Sequence, residues 1–275
     1  MSELFGKDMS QHVMKNNIMK DDFGWEIPYE LVPIPSKGII YNPDSSLYCL
    51  ESVKIKAMTA REEDILSSPA LIKEGTTVTH LIRSCIVDSD INPEMMISGD
   101  RNAMMISIRV TGYGPNYPYK ASCTHCGHRG EYEAALDKLQ IKRLEIEPIE
   151  QGKNEFEYEL PVTKKKVTFK FLTEADEKNK KAVERFIKSG NEAKIENKIT
   201  SFLENSIVSI DGVRDKNKIK HFTTYMPAFD SKSLRNFINE NEPGIDMSQK
   251  FECSGCGTIN DAKLPVNSEF FWPST

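Results

Sequence analysis

Two short cysteine motifs carry the clearest chemistry in this chain, because each has the spacing of a metal-binding turn. Cys123 and Cys126 form the first pair, and Cys253 and Cys256 form the second. A Cys-x-x-Cys turn lets two sulfurs converge on one ion, and the glycine after each second cysteine allows the tight positive-φ backbone that directs amides at the sulfurs. The four thiolates therefore predict one structural, tetrahedral Zn²⁺ site with no open coordination position.

Alternatives to a shared zinc site follow from the same residues. Each pair could form a disulfide or a redox motif, but no secretion signal is recognisable at Met1–Phe5, so we expect a reducing compartment. A redox Cys-x-x-Cys normally opens a helix after a strand, whereas both pairs lie in polar turns. His125 or His128 could replace one sulfur. With four cysteines present, we expect both to be solvated loop residues.

The other two cysteines have a different environment. Cys49 and Cys85 lie among apolar neighbours in the sequence. Free cysteine behaves as a small hydrophobic residue when it is buried. We therefore predict that both are core residues rather than metal ligands.

Catalytic motifs are not found in the sequence. It contains no nucleophile elbow, phosphate loop, dinucleotide-binding glycine set or His-Glu-x-x-His pattern. The histidines are scattered, and His80 lies beside an apolar helical stripe, where a structural role is expected. The carboxylates of Glu62–Asp64 fall in a first helical turn, where they complement the helix dipole. We expect no catalytic residues and no enzymatic activity.

The composition indicates an ordinary soluble protein of one large or two small domains. The chain has 275 residues, of which 39% are hydrophobic and 28% charged. No apolar run reaches the roughly 18 to 20 residues of a membrane helix, so no membrane partner is expected. The net charge of -5 disfavours nucleic acid as a partner. Basic runs at Lys164–Lys166 and Lys178–Lys181 are predicted to be solvated surfaces.

Two stretches of the chain contain the same order of predicted elements, which predicts an α+β fold. A strand over 53–58 leads into a capping box at Thr59–Glu62, and a strand over 167–172 leads into Thr173–Asp176. A core-facing helical stripe follows in each copy. The two stripes are Val78, Leu81, Ile82, Cys85 and Ile86, and Ile199, Phe202, Leu203, Ser206 and Ile207.

The end of each copy supports an internal duplication. Asp100 and Asp230 are positioned to cap another helix. Each lies 23 residues before the first cysteine of its pair, Cys123 or Cys253. The pattern predicts a duplicated strand-helix-helix-zinc-knuckle unit, with both knuckles joined in one zinc-ribbon-like site.

The predicted boundaries divide the chain into an arm and two copies. Residues 1–27 have few apolar anchors and are expected to be a flexible N-terminal arm. Residues 28–140 form the first α+β copy, and residues 141–275 form the second copy with an aromatic C-terminus at 270–272. These aromatic side chains could complete the core, stack on the zinc ribbon or insert into a partner. Core completion is the expectation.

Several segments of the first copy, together with the second cysteine pair, resemble a known family. The segments are Pro35–Tyr41, Val53–Glu62, Cys85–Asp88, Ser98–Arg101, and Ile108–Gly114 preceding Cys123–Cys126. They are similar to the T-even bacteriophage baseplate family, which contains the baseplate hub subunit and a hub assembly protein. The resemblance covers mainly residues 33–130.

The resemblance implies a structural or assembly component of a contractile-tailed bacteriophage baseplate hub. The implied partners are other hub and tail proteins, the tape-measure protein and symmetry-related copies of the chain. The implied location is the virion tail baseplate, or the host cytoplasm during assembly.

An alternative from the residues is a zinc-ribbon nucleic-acid-binding or transcription accessory protein. The basic stretches 163–170 and 178–185, together with Arg129, would then bind phosphates. The acidic net charge disfavours this alternative.

Overall fold

Helices and antiparallel strands follow one another along the chain, which confirms the predicted α+β class. The computed structural model describes residues 17–20, 26–176, 198–265 and 268–271. All strand pairs within these residues are antiparallel. No helix in this part of the chain is long and apolar enough to cross a bilayer.

The first part of the chain forms a three-stranded sheet, four helices and a hairpin. Its elements are β1 (Asn17–Lys20), β2 (Glu26–Pro33), β3 (Ser52–Lys56), α1 (Ala60–Ser67), α2 (Pro69–Glu74), α3 (Thr77–Cys85), α4 (Ser98–Tyr113), β4 (Asn116–Ser122) and β5 (Arg129–Ala135). The sheet has the order β1-β2-β3, and β4 pairs with β5. The predicted arm over 1–27 lies mostly outside the described residues, but β1 within it pairs with β2.

The second part contains another three-stranded sheet and another hairpin. Its elements are β6 (Ile141–Lys142), β7 (Phe156–Glu159), β8 (Lys166–Phe169), α5 (Lys198–Ser206), β9 (Ile207–Ile210), α6 (Lys216–Tyr225), α7 (Ala228–Asn241), β10 (Gly244–Ile245), β11 (Ser248–Glu252) and β12 (Ile259–Lys263). The sheet has the order β7-β8-β9, and β11 pairs with β12. A short 3-10 helix, Ser268–Phe271, follows.

Both predicted helix starts are present. The Thr59 amide donates to the Glu62 carboxylate over 2.8 Å, and the Thr173 amide donates to the Asp176 carboxylate over 3.1 Å. These side chains satisfy amides that have no partner within the first helical turn. A helix begins after each capping residue, although the second is described only as far as residue 176.

Asp100 and Asp230 do not cap their helices, contrary to the prediction. Ile97 and Pro227 occupy the N-cap positions of α4 and α7, and each aspartate is the third residue of its helix. Both side chains are fully buried and accept hydrogen bonds from a turn distant in sequence. Each aspartate therefore fixes a helix to the turn that follows a strand.

In both turns, backbone amides and side-chain hydroxyls donate hydrogen bonds to the aspartate. Asp100 accepts from the Ser36 amide over 2.9 Å, from the Ser36 hydroxyl and from the Tyr41 hydroxyl. Residues 39–41 continue the turn. Asp230 accepts from the Val162 amide over 2.7 Å and from the amide and hydroxyl of Thr163.

The two parts of the chain pack against each other through backbone contacts. Ile97, which precedes α4, forms an isolated antiparallel bridge with Thr173. Gly99 of α4 lies so close to β10 that a Cβ atom there would stand 1.7 Å from the Pro243 carbonyl oxygen. Only glycine fits at this crossing. The two parts therefore share a continuous core.

The C-terminal aromatic residues complete the core, as expected, where they are described. Phe270 and Phe271 are buried, and Trp272 lies outside the described residues. The Phe270 carbonyl accepts a hydrogen bond from Arg109 Nε over 2.8 Å. Cys85 is also buried, as predicted, whereas the prediction for Cys49 is wrong because that side chain is exposed.

Replacing Asp230 with Asn should destabilise the fold more than replacing Asp100. Burial raises the pKa of Asp230, but hydrogen bonds from Val162 and Thr163 outweigh it and hold that pKa below its usual value. Burial raises the pKa of Asp100 to about 6 despite donors from Ser36 and Tyr41. Denaturant unfolding at pH 7 should show a loss of about 2–3 kcal/mol for D230N and a smaller loss for D100N. Exposed Asp44 supplies the control D44N. An equal loss in both variants would contradict this difference.

The raised pKa of Asp100 also predicts a pH dependence. Between about pH 4, near the unfolded value, and pH 6, the folded protein retains a proton that the unfolded chain has released. The Asp100 contribution to the free energy of unfolding should therefore fall as pH rises through this window and stay level above it. D100N should remove this slope. Unfolding curves from pH 4 to 7 test this, and identical pH profiles for wild type and D100N would refute it.

Candidate metal centre

Each cysteine pair lies at the tip of an antiparallel hairpin. The first pair joins β4 to β5, and the second joins β11 to β12. The hairpins have the same register, because Ser122 pairs with Arg129 and Glu252 pairs with Ile259 immediately before and after the two loops. The strands thus present both loops in the same local geometry.

The first loop is closed by its own backbone. The Cys123 amide donates to the His128 carbonyl over 2.8 Å, and the Gly127 amide donates to the Cys123 carbonyl over 3.0 Å. Gly127 has a φ of 72°, a conformation that favours glycine. The chain turn directs the His125 amide at Cys123 Sγ over 3.4 Å.

The second loop repeats this arrangement. The Cys253 amide donates to the Thr258 carbonyl over 3.0 Å, and the Gly257 amide donates to the Cys253 carbonyl over 2.8 Å. Gly257 has a φ of 70°. The Gly255 amide is directed at Cys253 Sγ over 3.4 Å. The predicted role of the glycine after each pair is confirmed.

The two loops bring the four predicted cysteine sulfurs together. All four Sγ atoms lie within 4.8 Å of one another. The Cys123–Cys256 and Cys126–Cys253 sulfur distances are 3.7 and 3.6 Å. A tetrahedral zinc with Zn–S bonds of about 2.3 Å requires sulfur separations of roughly 3.8 Å. The donor set therefore fits a tetrahedral metal ion.

The pKa values of the cysteine thiols are shifted in different directions. The Cys126 amide is the main cause that lowers the pKa of Cys123 to about 6, and Thr258 lowers the pKa of Cys256. The His128 amide acts to lower the pKa of Cys126, but hydrogen bonding with the other cysteines and burial raise it to about 12. Adjacent sulfurs therefore compete for negative charge, which a cation bound between them would relieve.

Aromatic side chains pack together in the strands that carry the two loops. The ring centroids of Tyr132 in β5 and Phe251 in β11 lie 4.4 Å apart, and those of Tyr119 and Tyr132 lie 6.0 Å apart. The Tyr132–Phe251 contact joins the first hairpin to the second, and the Tyr119–Tyr132 contact lies within the first. The hairpins are thus held together by apolar contacts as well as by their loops.

The structure places His125 and His128 on the exposed side of the loops. His128 Nε2 lies 3.1 Å from the Ser254 hydroxyl, which belongs to the other loop. Neither histidine is among the four residues whose ligand atoms converge.

One residue of the site has no signal in the sequence. Asn260 in β12 is buried, and its side-chain amide hydrogen-bonds to Thr124 and Cys123 of the first loop and to Thr258 of the second. A single asparagine in a strand has no distinguishing spacing. Its contacts arise only when two hairpins distant in sequence meet.

Comparison with known proteins identifies the family. A family model described as T4 bacteriophage base plate protein matches residues 29–272, which is most of the chain. No curated protein and no solved structure matches the chain. The match extends well beyond the segments that carried the sequence resemblance and includes both cysteine loops. The chain belongs to the T4 bacteriophage base plate protein family.

Proposed function

We propose that this protein is a structural or assembly component of the baseplate hub, in which a zinc ion bound by four cysteines fixes two parts of the chain. Membership of the base plate protein family supports a structural role in the phage baseplate and favours it over catalysis. The assignment to the hub rests on the sequence resemblance. Its partners would be other hub and tail proteins, and it would act in the tail baseplate or during assembly in the host cytoplasm.

The convergence of four sulfurs is the observation that carries the zinc proposal. The ligands are Cys123, Cys126, Cys253 and Cys256, whose Sγ atoms lie within 4.8 Å of one another. Structural zinc sites use four protein ligands and leave no position for substrate. The ion would therefore act as a cross-link between the two hairpins.

We also propose that the chain contains a duplicated unit. Asp100 and Asp230 support it, because each is the third residue of its helix, is buried, and holds a turn after a strand. In those turns Lys37 and Lys164 have nearly the same positive φ, 58° and 55°. The equal loop geometries support it further.

Ion pairs before the first helix of each copy follow the same pattern. Lys56 lies 3.9 Å from Glu62, and Lys170 lies 2.6 Å from Asp176. In both cases the lysine is the third residue before the capping threonine. A third strand or bridge follows in each copy, Ile86 pairing with Ile55 and β9 with β8.

One surface has the character expected for contact with another baseplate protein. We define the corner surface by Val162, Tyr225 and Phe229, whose exposed fractions are 54, 74 and 62%. The Val162 amide binds Asp230, which follows Phe229, so the turn before β8 lies beside the start of α7. Val162 and Phe229 are thereby brought together, and Tyr225 precedes Phe229 by four residues. Exposed large apolar residues brought together by the fold are typical of protein interfaces.

The charge of α6, the helix that ends at Tyr225, indicates the kind of partner. Helix α6 carries Lys216, Lys218 and Lys220 on exposed positions and contains no acidic residue. The corner surface would therefore suit a hub protein with an apolar centre and an acidic rim.

The described residues give little support to phosphate binding as an alternative. Lys165 of the basic stretch 163–170 pairs with Asp211 over 2.7 Å. The stretch 178–185 lies outside the described residues.

Metal analysis tests the zinc proposal. Purified wild-type protein should contain one zinc per chain, and Cys256→Ser should lose it. The free energy of unfolding should fall by about 2–5 kcal/mol, as on loss of a long-loop cross-link. Cys49→Ser is the matched control, because Cys49 is also exposed but lies outside the cluster. Wild-type protein without stoichiometric metal, or a C256S variant of unchanged stability and zinc content, would contradict the proposal.

Association with hub proteins tests the corner surface. The double variant Y225A/F229A, co-expressed with the hub proteins of the same phage, should bind its partner about tenfold or more weakly, because truncation removes two exposed aromatic anchors. Ile72→Ala is the control, since Ile72 is 59% exposed on α2. Quantitative co-purification, with mass spectrometry of virions and of assembly intermediates, gives the measurement. Recovery of the wild type with no tail protein would refute the hub assignment. Equal binding by the double variant would refute the role of the corner surface.

A further inference from the structure

Asn260 occupies the junction of the two cysteine hairpins. It lies in β12 and is 5% exposed. Its Oδ1 accepts from the amide of Thr124 over 3.0 Å and from the Thr124 hydroxyl over 2.8 Å. Its Nδ2 donates to Cys123 Sγ over 3.4 Å and to the Thr258 carbonyl over 2.8 Å. The side-chain amide thus uses both acceptor positions and both donors.

The orientation of this amide is fixed by its neighbours. The Thr124 amide can only donate, so the atom that faces it must be the amide oxygen of Asn260. The nitrogen consequently faces Cys123 Sγ. A sulfur that ligates a cation is a thiolate, which accepts such a hydrogen bond.

Asn260 connects the two loops without using a cysteine side chain. Thr124 belongs to the first loop, and Asn260 and Thr258 belong to the second hairpin. These bonds would hold Cys123 in position before a metal arrives. The conformational entropy that is lost when the loops come together is then offset partly by these hydrogen bonds and not by metal binding alone.

The electrostatics of a four-cysteine site give this contact a further role. Four thiolates around Zn²⁺ leave a net charge of about -2 in a partly buried setting, and N–H donors to sulfur disperse that charge. Backbone amides supply the donor from His125 to Cys123 and the donor from Gly255 to Cys253. Asn260 adds a side-chain donor to Cys123, which is the more buried cysteine of its pair.

The equivalent position in the first hairpin cannot play this part. Seven residues after Cys123 the chain has Gly130, whereas seven residues after Cys253 it has Asn260. A Cβ atom at Gly130 would stand 2.8 Å from the Tyr132 hydroxyl. The otherwise similar loops therefore differ here, and Asn260 serves both.

We propose that Asn260 is the positioning residue of the zinc centre: it sets Cys123 relative to the other three ligands and stabilises its thiolate. This inference rests on the proposed zinc site. Asn260 does not itself ligate the metal, so its loss should weaken metal binding without removing a ligand.

Zinc affinity of full-length variants tests the proposal. Competition with a chromophoric zinc chelator should show a dissociation constant about 10–100-fold larger for Asn260→Ala than for wild type. Asn260→Asp should be weaker still, because it places a carboxylate oxygen against the Cys123 thiolate. In Co²⁺-loaded protein, the sulfur-to-cobalt charge-transfer band should shift in both variants, since the band reports charge on the sulfurs.

A matched control separates positioning from general stability. Asn154 also uses both ends of its amide, donating to the Phe171 carbonyl over 2.7 Å and accepting from the Phe171 amide over 3.0 Å. Asn154→Ala should lower stability while leaving the zinc affinity and the cobalt spectrum unchanged. Asn260→Ser, which keeps a small polar group too short to reach Cys123, gives the same test if Asn260→Ala is insoluble.

The outcomes are distinguishable. If wild type binds zinc and the Asn260 variants bind it equally well, the positioning role is refuted while the zinc site stands. An equal loss of affinity in the Asn154 variant would also refute it, because the effect would then be general destabilisation. If the wild type binds neither zinc nor cobalt, the zinc site itself is refuted and this inference with it.

Discussion

The meeting of two hairpins whose cysteines are 130 residues apart is the constraint on which the rest of the structure depends. Closing such a loop restricts the unfolded chain, and a cross-link of about 100 residues contributes roughly 4–5 kcal/mol in the chain-entropy treatment. The same restriction must be overcome when the loop closes by contacts alone. The Tyr132–Phe251 contact and the Asn260 bonds supply part of that free energy. A zinc ion would supply the rest and relieve the competition among the sulfurs for negative charge.

Two buried aspartates each fix a helix to a turn that follows a strand distant in sequence. Asp100 and Asp230 make similar contacts, but their pKa values move in opposite directions. Asp230 receives two backbone amides from consecutive residues, whereas Asp100 receives one amide and two hydroxyls. The two arrangements differ in how well their donors offset desolvation. Similar geometry therefore does not imply equal stability at a given pH.

Local signals in the sequence were sufficient for the parts of the fold that form locally. The cysteine spacing, the glycines after each pair and the capping boxes all depend on residues within one turn. The contacts of Asp100 with Ser36, and of Asn260 with Thr124, span 64 and 136 residues and leave no local pattern. The contact between Tyr41 and Asp100 likewise spans 59 residues and holds Tyr41 in the turn. Sequence reasoning thus found the four cysteines that converge but missed the residue that connects the loops.

The form of the candidate site constrains what a bound metal could do. Cys123 and Cys253 are buried, and all four sulfurs would be used as ligands, so no position remains for a substrate. The ion would act through geometry alone, by fixing one part of the chain against the other. The surface proposed for partner contacts lies on other elements, because the exposed Tyr225 ends α6 and the exposed Phe229 is the second residue of α7. A closed metal centre and a separate contact surface are together what a structural component requires, because the shape it presents to its neighbours must not change with the chemistry of a ligand.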